Sequence, residues 1–230
     1  MKTLRSKSGF TLTELLVSTV IGLVFGLAGL NYYRSQTRAL STQSAMVDAA
    51  DKLRAAMTFM TREIRLAGYD PQHTAMTLSG TKGVVDARSD FLWVQFDRDE
   101  NGSIQTNASD PSAESVAYAY DSANQQIVRT VAGVTQTLIK NVPPGTFSFQ
   151  YFDINGNAMT LGTVAFTAPS GLPSAIASTA GAEQAVIATQ RDQIALVRLS
   201  FQVQTTGPKP TVNLTLASRV SVPARTMDRL

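Results

Sequence analysis

The sequence predicts an α+β protein in which a long amino-terminal α-helix crosses a membrane with its first half and packs with its second half on an antiparallel β-sheet head. Three observations support this fold class. Residues 10–30 form an apolar run in which Glu14 is the only charged residue. Apolar residues then recur at alternating steps of four and three positions as far as residue 67. Short apolar stretches separated by turn residues fill most of the remaining chain.

The apolar run is long enough to span a bilayer, because a helix of about 20 residues crosses the ~30 Å hydrocarbon core. Three basic residues precede it, which favours an amino end in the cytoplasm, although Arg34 and Arg38 follow on the other side. An ordinary secretory signal peptide is the alternative, but no small-residue cleavage site follows the run. We therefore predict residues 10–30 as the transmembrane half of the helix.

The helical pattern continues without a break into the next segment. No proline occurs before Pro71, and Gly68 supplies a stop signal. One helix is therefore predicted over residues 10–67, which is 58 residues or about 87 Å long. Residues 31–67 form its exposed and head-packed half. The apolar stripe that we expect to be buried there comprises Met46, Ala50, Leu53, Met57, Met60, Ile64 and Ala67.

The globular head is predicted for residues 68–230. Short strands are expected at residues 91–96, 115–120, 126–129, 136–139 and 147–151, and longer ones at 197–203 and 212–216. Apolar and polar residues alternate in the last two, so one face of the sheet can cover the helical stripe. Short connections favour antiparallel hairpins. Residues 167–193 are predicted to form a long surface loop with a short helical piece near residues 182–189.

Composition argues against several classes of function. The chain has no cysteine and a single histidine, which disfavours zinc sites and nucleophile–histidine pairs. Of its 20 basic and 17 acidic residues, three basic ones lie in residues 1–9, so the rest carries no net charge. That balance disfavours nucleic acid as a partner. The carboxylates are scattered and suggest no acid–base pair, so we predict that the protein is not an enzyme.

Residues 7–16, KSGFTLTELL, resemble the class III signal peptide of type IV pilins and type II secretion pseudopilins. The resemblance implies that residues 1–9 are a leader. It implies that a prepilin peptidase cuts between Gly9 and Phe10 and methylates the new amine of Phe10. It further implies that Glu14 is an assembly contact, neutralised by the Phe10 amine of the same or a neighbouring subunit. A charge buried in the bilayer costs ~2.5–3.5 kcal/mol on insertion scales, so Glu14 is expected to need a neutralising cation. The alternative to an assembly contact is that the Glu14 side chain snorkels to the lipid headgroups and has no further role.

Three further stretches resemble PilW-type minor pilins: REIRLAGYDP at residues 62–71, FSFQYFDINGN at 147–157 and IALVRLSFQVQT at 194–205. The resemblance implies a minor pilin that primes assembly of a type IV pilus and is incorporated into it, in a tip complex. The implied partners are other minor pilins, the major pilin, the prepilin peptidase and a tip adhesin. The implied location is the inner membrane before assembly and the extracellular pilus afterwards. A J-type minor pseudopilin of type II secretion and a pilus-borne adhesin are the alternatives.

Ser18, Gly22 and Gly26 repeat at a four-residue spacing in the membrane segment. Small residues let membrane helices approach closely, so this stripe is predicted to pack against other pilin helices. The alternative is the general richness of membrane helices in glycine.

Asp97, Asp99 and Asn101 begin the calcium-loop pattern D-x-D-x-N-G. Ala108 stands where the bidentate glutamate of that pattern belongs. A later acid would replace it only in a different loop shape, and the candidates are Asp110 and Glu114. Calcium is therefore the one cofactor that the sequence suggests. The alternative is a polar hairpin tip that is capped by its own Asx side chains.

Overall fold

The computed structural model describes residues 9–72, 83–105, 114–164, 183–205 and 212–222. Helix α1 spans Leu12–Leu66, which is 55 residues or about 82 Å of continuous helix. The prediction of one unbroken helix over residues 10–67 is confirmed, with ends that differ by one or two residues. Gly68 follows the helix with φ +82°, a left-handed conformation that suits a glycine stop.

Ten strands form three antiparallel sheets in the described part of the chain. The first sheet has the order β1-β2-β3-β4-β5, the second β10-β9-β6, and the third pairs β7 with β8. The predicted antiparallel pairing is therefore confirmed. The strands are β1 (Val84–Ala87), β2 (Phe91–Gln95), β3 (Ser115–Asp121), β4 (Gln126–Val131), β5 (Val134–Lys140), β6 (Ser148–Phe152), β7 (Gly162–Val164), β8 (Glu183–Ala185), β9 (Leu196–Gln204) and β10 (Asn213–Ser221).

The second half of α1 packs on the sheets, with contacts to β5, β9 and β10. The predicted stripe is buried at Leu53, Met57, Met60, Ile64 and Ala67, but Met46 and Ala50 are only half-buried, and Ala49 is buried in place of Ala50. The covering surface includes the inward side chains of β9, which alternate in burial along the strand. Each large apolar side chain buried in this way contributes about 1.5–3 kcal/mol to the free energy of folding. Packing between the helix and the sheets therefore stabilises the head.

The structure differs from the sequence prediction around residues 182–189. The expected helical piece is wrong in its start, because residues 183–185 form β8 and the helix α2 covers only Ala188–Arg191. The backbone N–H of Val186 donates to the carbonyl of Ala87 at 2.8 Å, and Ala185 bridges Arg88, so the edge of β1 holds this segment extended. Strands β1 and β7 were also not predicted, and β10 extends five residues beyond residue 216. Residues 165–182, most of the expected loop, lie outside the described residues.

Candidate functional site

The helix begins with a reciprocal cap between Thr11 and Glu14. The backbone N–H of Thr11 donates to Glu14 Oε2 at 3.0 Å, and the backbone N–H of Glu14 donates to Thr11 Oγ1 at 3.3 Å. This capping box satisfies two N–H groups that the first turn of a helix cannot bond internally. The Glu14 carboxylate is thereby held facing the amino end of the chain. Gly9 and Phe10 precede the helix and are exposed.

The first half of α1 exposes all its large apolar side chains, whereas the second half contributes residues to the core of the head. The segment is long and apolar enough to cross a membrane. Small residues Ser18, Gly22 and Gly26 lie on this exposed surface, and a Cβ placed on either glycine would meet open space. The exposed apolar side chains are Phe10, Leu12, Leu15, Leu16, Val17, Val20, Ile21, Leu23, Val24, Phe25, Leu27 and Leu30.

A buried ion pair lies where the other end of α1 meets the first sheet. Glu63 is 4% exposed and accepts hydrogen bonds from Arg129 Nε at 2.9 Å and Arg129 Nη2 at 2.6 Å. The hydroxyl of Tyr118 donates to the same carboxylate. Tyr118 and Arg129 are directly paired across β3 and β4, so both reach the same face of the helix. Burial, together with the charge of Glu63, raises the pKa of Tyr118 well above its usual value and keeps the phenol protonated.

The segment after β2 folds back on the residue that precedes β3, which brings three carboxylates together. One oxygen from each of Asp97, Asp99 and Glu114 lies within 4.8 Å of the others. Asp97 and Glu114 are fully buried, while Asp99 is exposed. We call residues 97–105 with Glu114 the acidic loop. Its predicted members Asp97 and Asp99 are thus brought together, and Glu114 joins them.

Backbone N–H groups hold the acidic loop in shape. Glu114 accepts hydrogen bonds from the N–H groups of Arg98 at 3.0 Å, Asp99 at 3.2 Å and Gln105 at 2.9 Å. Burial and the charge of Asp99 nevertheless raise the pKa of Glu114, against the lowering effect of these three donors. The Gly102 N–H donates to Asp97 Oδ2 at 2.9 Å.

Asn101, the third predicted ligand, lies beside the carboxylates. Its side-chain amide nitrogen donates to Asp99 Oδ2 at 2.8 Å, and its Oδ1 accepts from the backbone N–H of Ser103 at 2.9 Å. Asn101 therefore takes part in the loop as a donor to Asp99. Ala108 and Asp110 lie outside the described residues.

Two family models match the chain. The prokaryotic N-terminal methylation motif matches residues 4–30, and prepilin peptidase-dependent protein B matches residues 42–228, about four fifths of the sequence. The chain belongs to the prepilin peptidase-dependent protein B family. Searches of curated proteins and of solved structures found no match.

Membership of this family makes the chain a type IV pilin-like protein. Dependence on prepilin peptidase implies processing by that enzyme and pilus-type assembly with other pilins. Pilin-like families have structural roles, which agrees with the prediction from composition. Gly9, Phe10 and Glu14 all lie inside the matched methylation motif, and the apolar half of α1 fits membrane anchoring before assembly. The finer assignment to PilW-type minor pilins stays a prediction.

Sequence reasoning missed two features of these sites. The capping box was readable as Thr11 followed three positions later by Glu14, which is a recognised signal for a helix start. Glu63 had a weaker signal: it lies three positions after Met60 and four before Ala67, on the same side of the helix as the buried stripe.

Proposed function

We propose that this protein is a PilW-like minor pilin that primes assembly of a type IV pilus and is incorporated into it, in a tip complex with other minor pilins. The observation that carries the proposal is the contrast along α1. From Ala49 onward one face of the helix is buried against the head, whereas residues 10–30 expose an apolar surface on every side. Such a surface needs lipid before assembly and other helices afterwards.

Processing is proposed to occur between Gly9 and Phe10. Both residues are exposed and precede the first helical turn, so the peptide bond between them is accessible to a peptidase. Cleavage would leave an amine on Phe10, one residue from the Thr11 N–H that already donates to Glu14 Oε2. The carboxylate is therefore oriented toward the position where the new positive charge forms. We propose that methylation of Phe10 follows, and that Glu14 pairs with a Phe10 amine of its own or a neighbouring subunit.

Packing in the fibre is proposed to use the small-residue stripe. Ser18, Gly22 and Gly26 form an exposed, shallow strip along the apolar half of the helix. Shallow strips of this kind let helix backbones approach closely without water. The proposed location is the inner membrane, with the amino end in the cytoplasm, and then the tip of the extracellular pilus. Other minor pilins, the major pilin and a tip adhesin are the proposed neighbours.

The test is a deletion strain of the native host, complemented with the wild-type gene or with single variants. We expect the deletion to remove most surface pili and twitching motility, and the wild-type gene to restore them. Glu14→Gln should restore few pili, although the protein still enters the membrane and is cut. The control Asp48→Asn changes an exposed acid on the same helix, outside the apolar half, and should restore pili fully.

Three outcomes would contradict the proposal in different ways. Normal piliation in the deletion strain would exclude a priming role. Normal piliation with loss of exported enzymes from the medium would instead assign the protein to a type II secretion system as a J-type pseudopilin. Normal piliation with loss of surface attachment alone would assign it as a pilus-borne adhesin.

A further inference from the structure

The acidic loop carries an unsatisfied group that the assembly role does not explain. Asp97 is fully buried, and its Oδ1 has no hydrogen-bond partner within the described part of the chain. A buried carboxylate oxygen without a hydrogen-bond donor destabilises the folded state, because its hydrogen bonds to water are lost and no protein donor replaces them. From this oxygen and its neighbours we infer that the acidic loop binds one calcium ion through Asp97, Asp99 and Glu114.

Charge in the acidic loop supports a bound cation. Its three carboxylates approach one another within 4.8 Å. Among the described residues, no lysine or arginine forms an ion pair with any of them. Arg98 follows Asp97 in the chain, but its guanidinium pairs with Glu63 at 3.8 Å instead. Like charges at this distance repel one another, and two of these three have no access to solvent. A divalent cation would remove that repulsion and give Asp97 Oδ1 a partner.

The donor set and its spread favour calcium over other divalent ions. All three candidate ligands are carboxylate oxygens, which suit hard cations, whereas zinc prefers nitrogen and sulfur. Calcium accepts several carboxylate oxygens at about 2.3–2.6 Å in a flexible geometry, whereas magnesium demands a near-octahedral shell and keeps several of its waters. Three carboxylate oxygens that lie within 4.8 Å of one another can all contact one calcium ion at those distances. Two of the three carboxylates are fully buried, which leaves little room for the waters that magnesium keeps.

Calcium at this position would stiffen the junction between α1 and the head. The Asp97 N–H donates to the carbonyl of Tyr69, just past the end of the helix, at 2.8 Å. The Tyr69 hydroxyl donates to Glu100 Oε1, also at 2.8 Å. Arg98 reaches Glu63 on the helix itself. An ion that fixes the acidic loop thus fixes three contacts to the end of α1, so binding should stabilise the whole head.

The test uses the full-length chain in detergent micelles, stripped of metal with a chelator. Calorimetric titration with calcium chloride should show one ion per chain, with a dissociation constant of about 10⁻⁵–10⁻³ M. At a calcium concentration about 100 times that constant, the melting temperature should rise by roughly 5–10 °C. Fluorescence of Trp93, the single tryptophan, reports the melting of the head. Magnesium should bind at least about tenfold more weakly.

Matched variants locate the site. Asp97→Asn and Glu114→Gln should each weaken calcium binding by about tenfold or more. Asp99→Asn should do the same, and because Asp99 is exposed this variant decides the question if a buried variant fails to fold. The control is Asp153→Asn. Asp153 accepts hydrogen bonds from Asn155 and Asn157 in an exposed turn of similar sequence, and it belongs to no carboxylate cluster among the described residues. This variant should bind calcium as the wild type does.

Two results would overturn the inference. One is a wild-type chain that shows neither heat nor a melting shift in about 10 mM calcium, a concentration well above the weakest expected constant. The other is an Asp99→Asn variant whose calcium affinity equals that of the wild type and of Asp153→Asn. Both readouts concern binding by the purified chain, so they fail or succeed independently of the piliation experiment.

Discussion

The buried ion pair at the end of α1 yields the sharpest prediction about stability. Replacing Glu63 by glutamine keeps the size of the side chain and removes its charge. Arg129 would then stay in place with a neutral partner, although its side chain is only 14% exposed. We expect Glu63→Gln to be strongly destabilising, because a guanidinium left in a buried position without a counter-charge cannot regain its hydration.

The expected magnitude follows from the geometry. Two unit charges about 4 Å apart attract by about 4 kcal/mol at an effective dielectric constant near 20. The amide oxygen of glutamine can still accept one of the two hydrogen bonds from Arg129, which recovers about 1 kcal/mol. The hydroxyl of Tyr118 also loses a charged acceptor. The net loss in the free energy of unfolding should be about 2–4 kcal/mol.

Urea unfolding of the full-length chain in detergent micelles, followed by Trp93 fluorescence, measures this loss. Trp93 lies on β2, and its indole N–H donates to Ser115 Oγ at 2.8 Å, so its emission reports on the first sheet. The control is Asp51→Asn. Asp51 pairs with Arg54 at 3.5 Å on the solvent-facing side of the same helix, and this change should cost less than about 0.5 kcal/mol.

A double-mutant cycle separates pairing from other effects. Arg129→Gln alone should also be costly, but Glu63→Gln combined with Arg129→Gln should cost less than the two losses together, with a coupling of at least about 1.5 kcal/mol. A stabilising pair between Glu63 and Arg129 is refuted if Glu63→Gln lowers the free energy of unfolding no more than Asp51→Asn, or if the losses of the two single variants add to within about 0.5 kcal/mol.

Three further predictions concern the head. Gly83→Ala should cost about 3 kcal/mol or more, because the new Cβ would overlap backbone atoms of Gly68 and the residue has φ +98°; Gly156→Ala, with φ +83° but open space around it, should cost only about 1 kcal/mol in the same urea assay. Burial raises the pKa of Tyr151 well above its usual value of about 10. The contribution of the Tyr151 phenol to stability is therefore complete below about pH 10, and it is lost as the pH rises from there through the raised pKa of the folded state. In melting curves recorded from about pH 8 to 11, Tyr151→Phe should therefore show a shallower alkaline decline than the wild type. Although burial raises the pKa of Asp121, hydrogen bonds from two side-chain amides and two backbone N–H groups outweigh it and lower the pKa below the usual value. Its contribution is therefore present above about pH 4 and is lost as the pH falls through the folded pKa, and Asp121→Asn should reduce the acid sensitivity of the melting temperature in that range.

Local periodicity explains which parts of the fold could be predicted. The steps of four and three in α1 follow from 3.6 residues per turn, and the alternation in β9 follows from the two-residue repeat of a strand, so both were readable from neighbouring residues. Strand β1 was not readable in this way. It contains Asp86, which pairs with Arg88 at 3.0 Å in a buried position. Two charged residues so close together in sequence normally indicate an exposed segment, and only the structure shows that their pairing permits burial.

A candidate site could be predicted when the residues that form it lie close together in the sequence. Glu14 could be found because its helix start and its apolar run are contiguous in sequence. Glu63 could not be found, because the partners that make its burial tolerable are 55 and 66 positions away and meet only when β3 pairs with β4. In the acidic loop, Asp97 and Asp99 follow a sequence pattern, but Glu114 reaches them only because three backbone N–H groups turn toward it.

Because α1 is one unbroken helix, it fixes the angle about the helix axis between the head and the apolar half of α1. Along an ideal helix each residue turns the chain by about 100° and lifts it by about 1.5 Å, so residues 31–48 act as a spacer of about 27 Å between the apolar run and the first buried turn. The same arithmetic sets the centre of the strip formed by Ser18, Gly22 and Gly26 about 130° around the axis from the stripe of Leu53, Met57, Met60 and Ile64 that faces the sheets. In the proposed assembly, a neighbouring helix that docks on the small-residue strip would therefore approach about 130° around the axis from the face of α1 that carries the sheets.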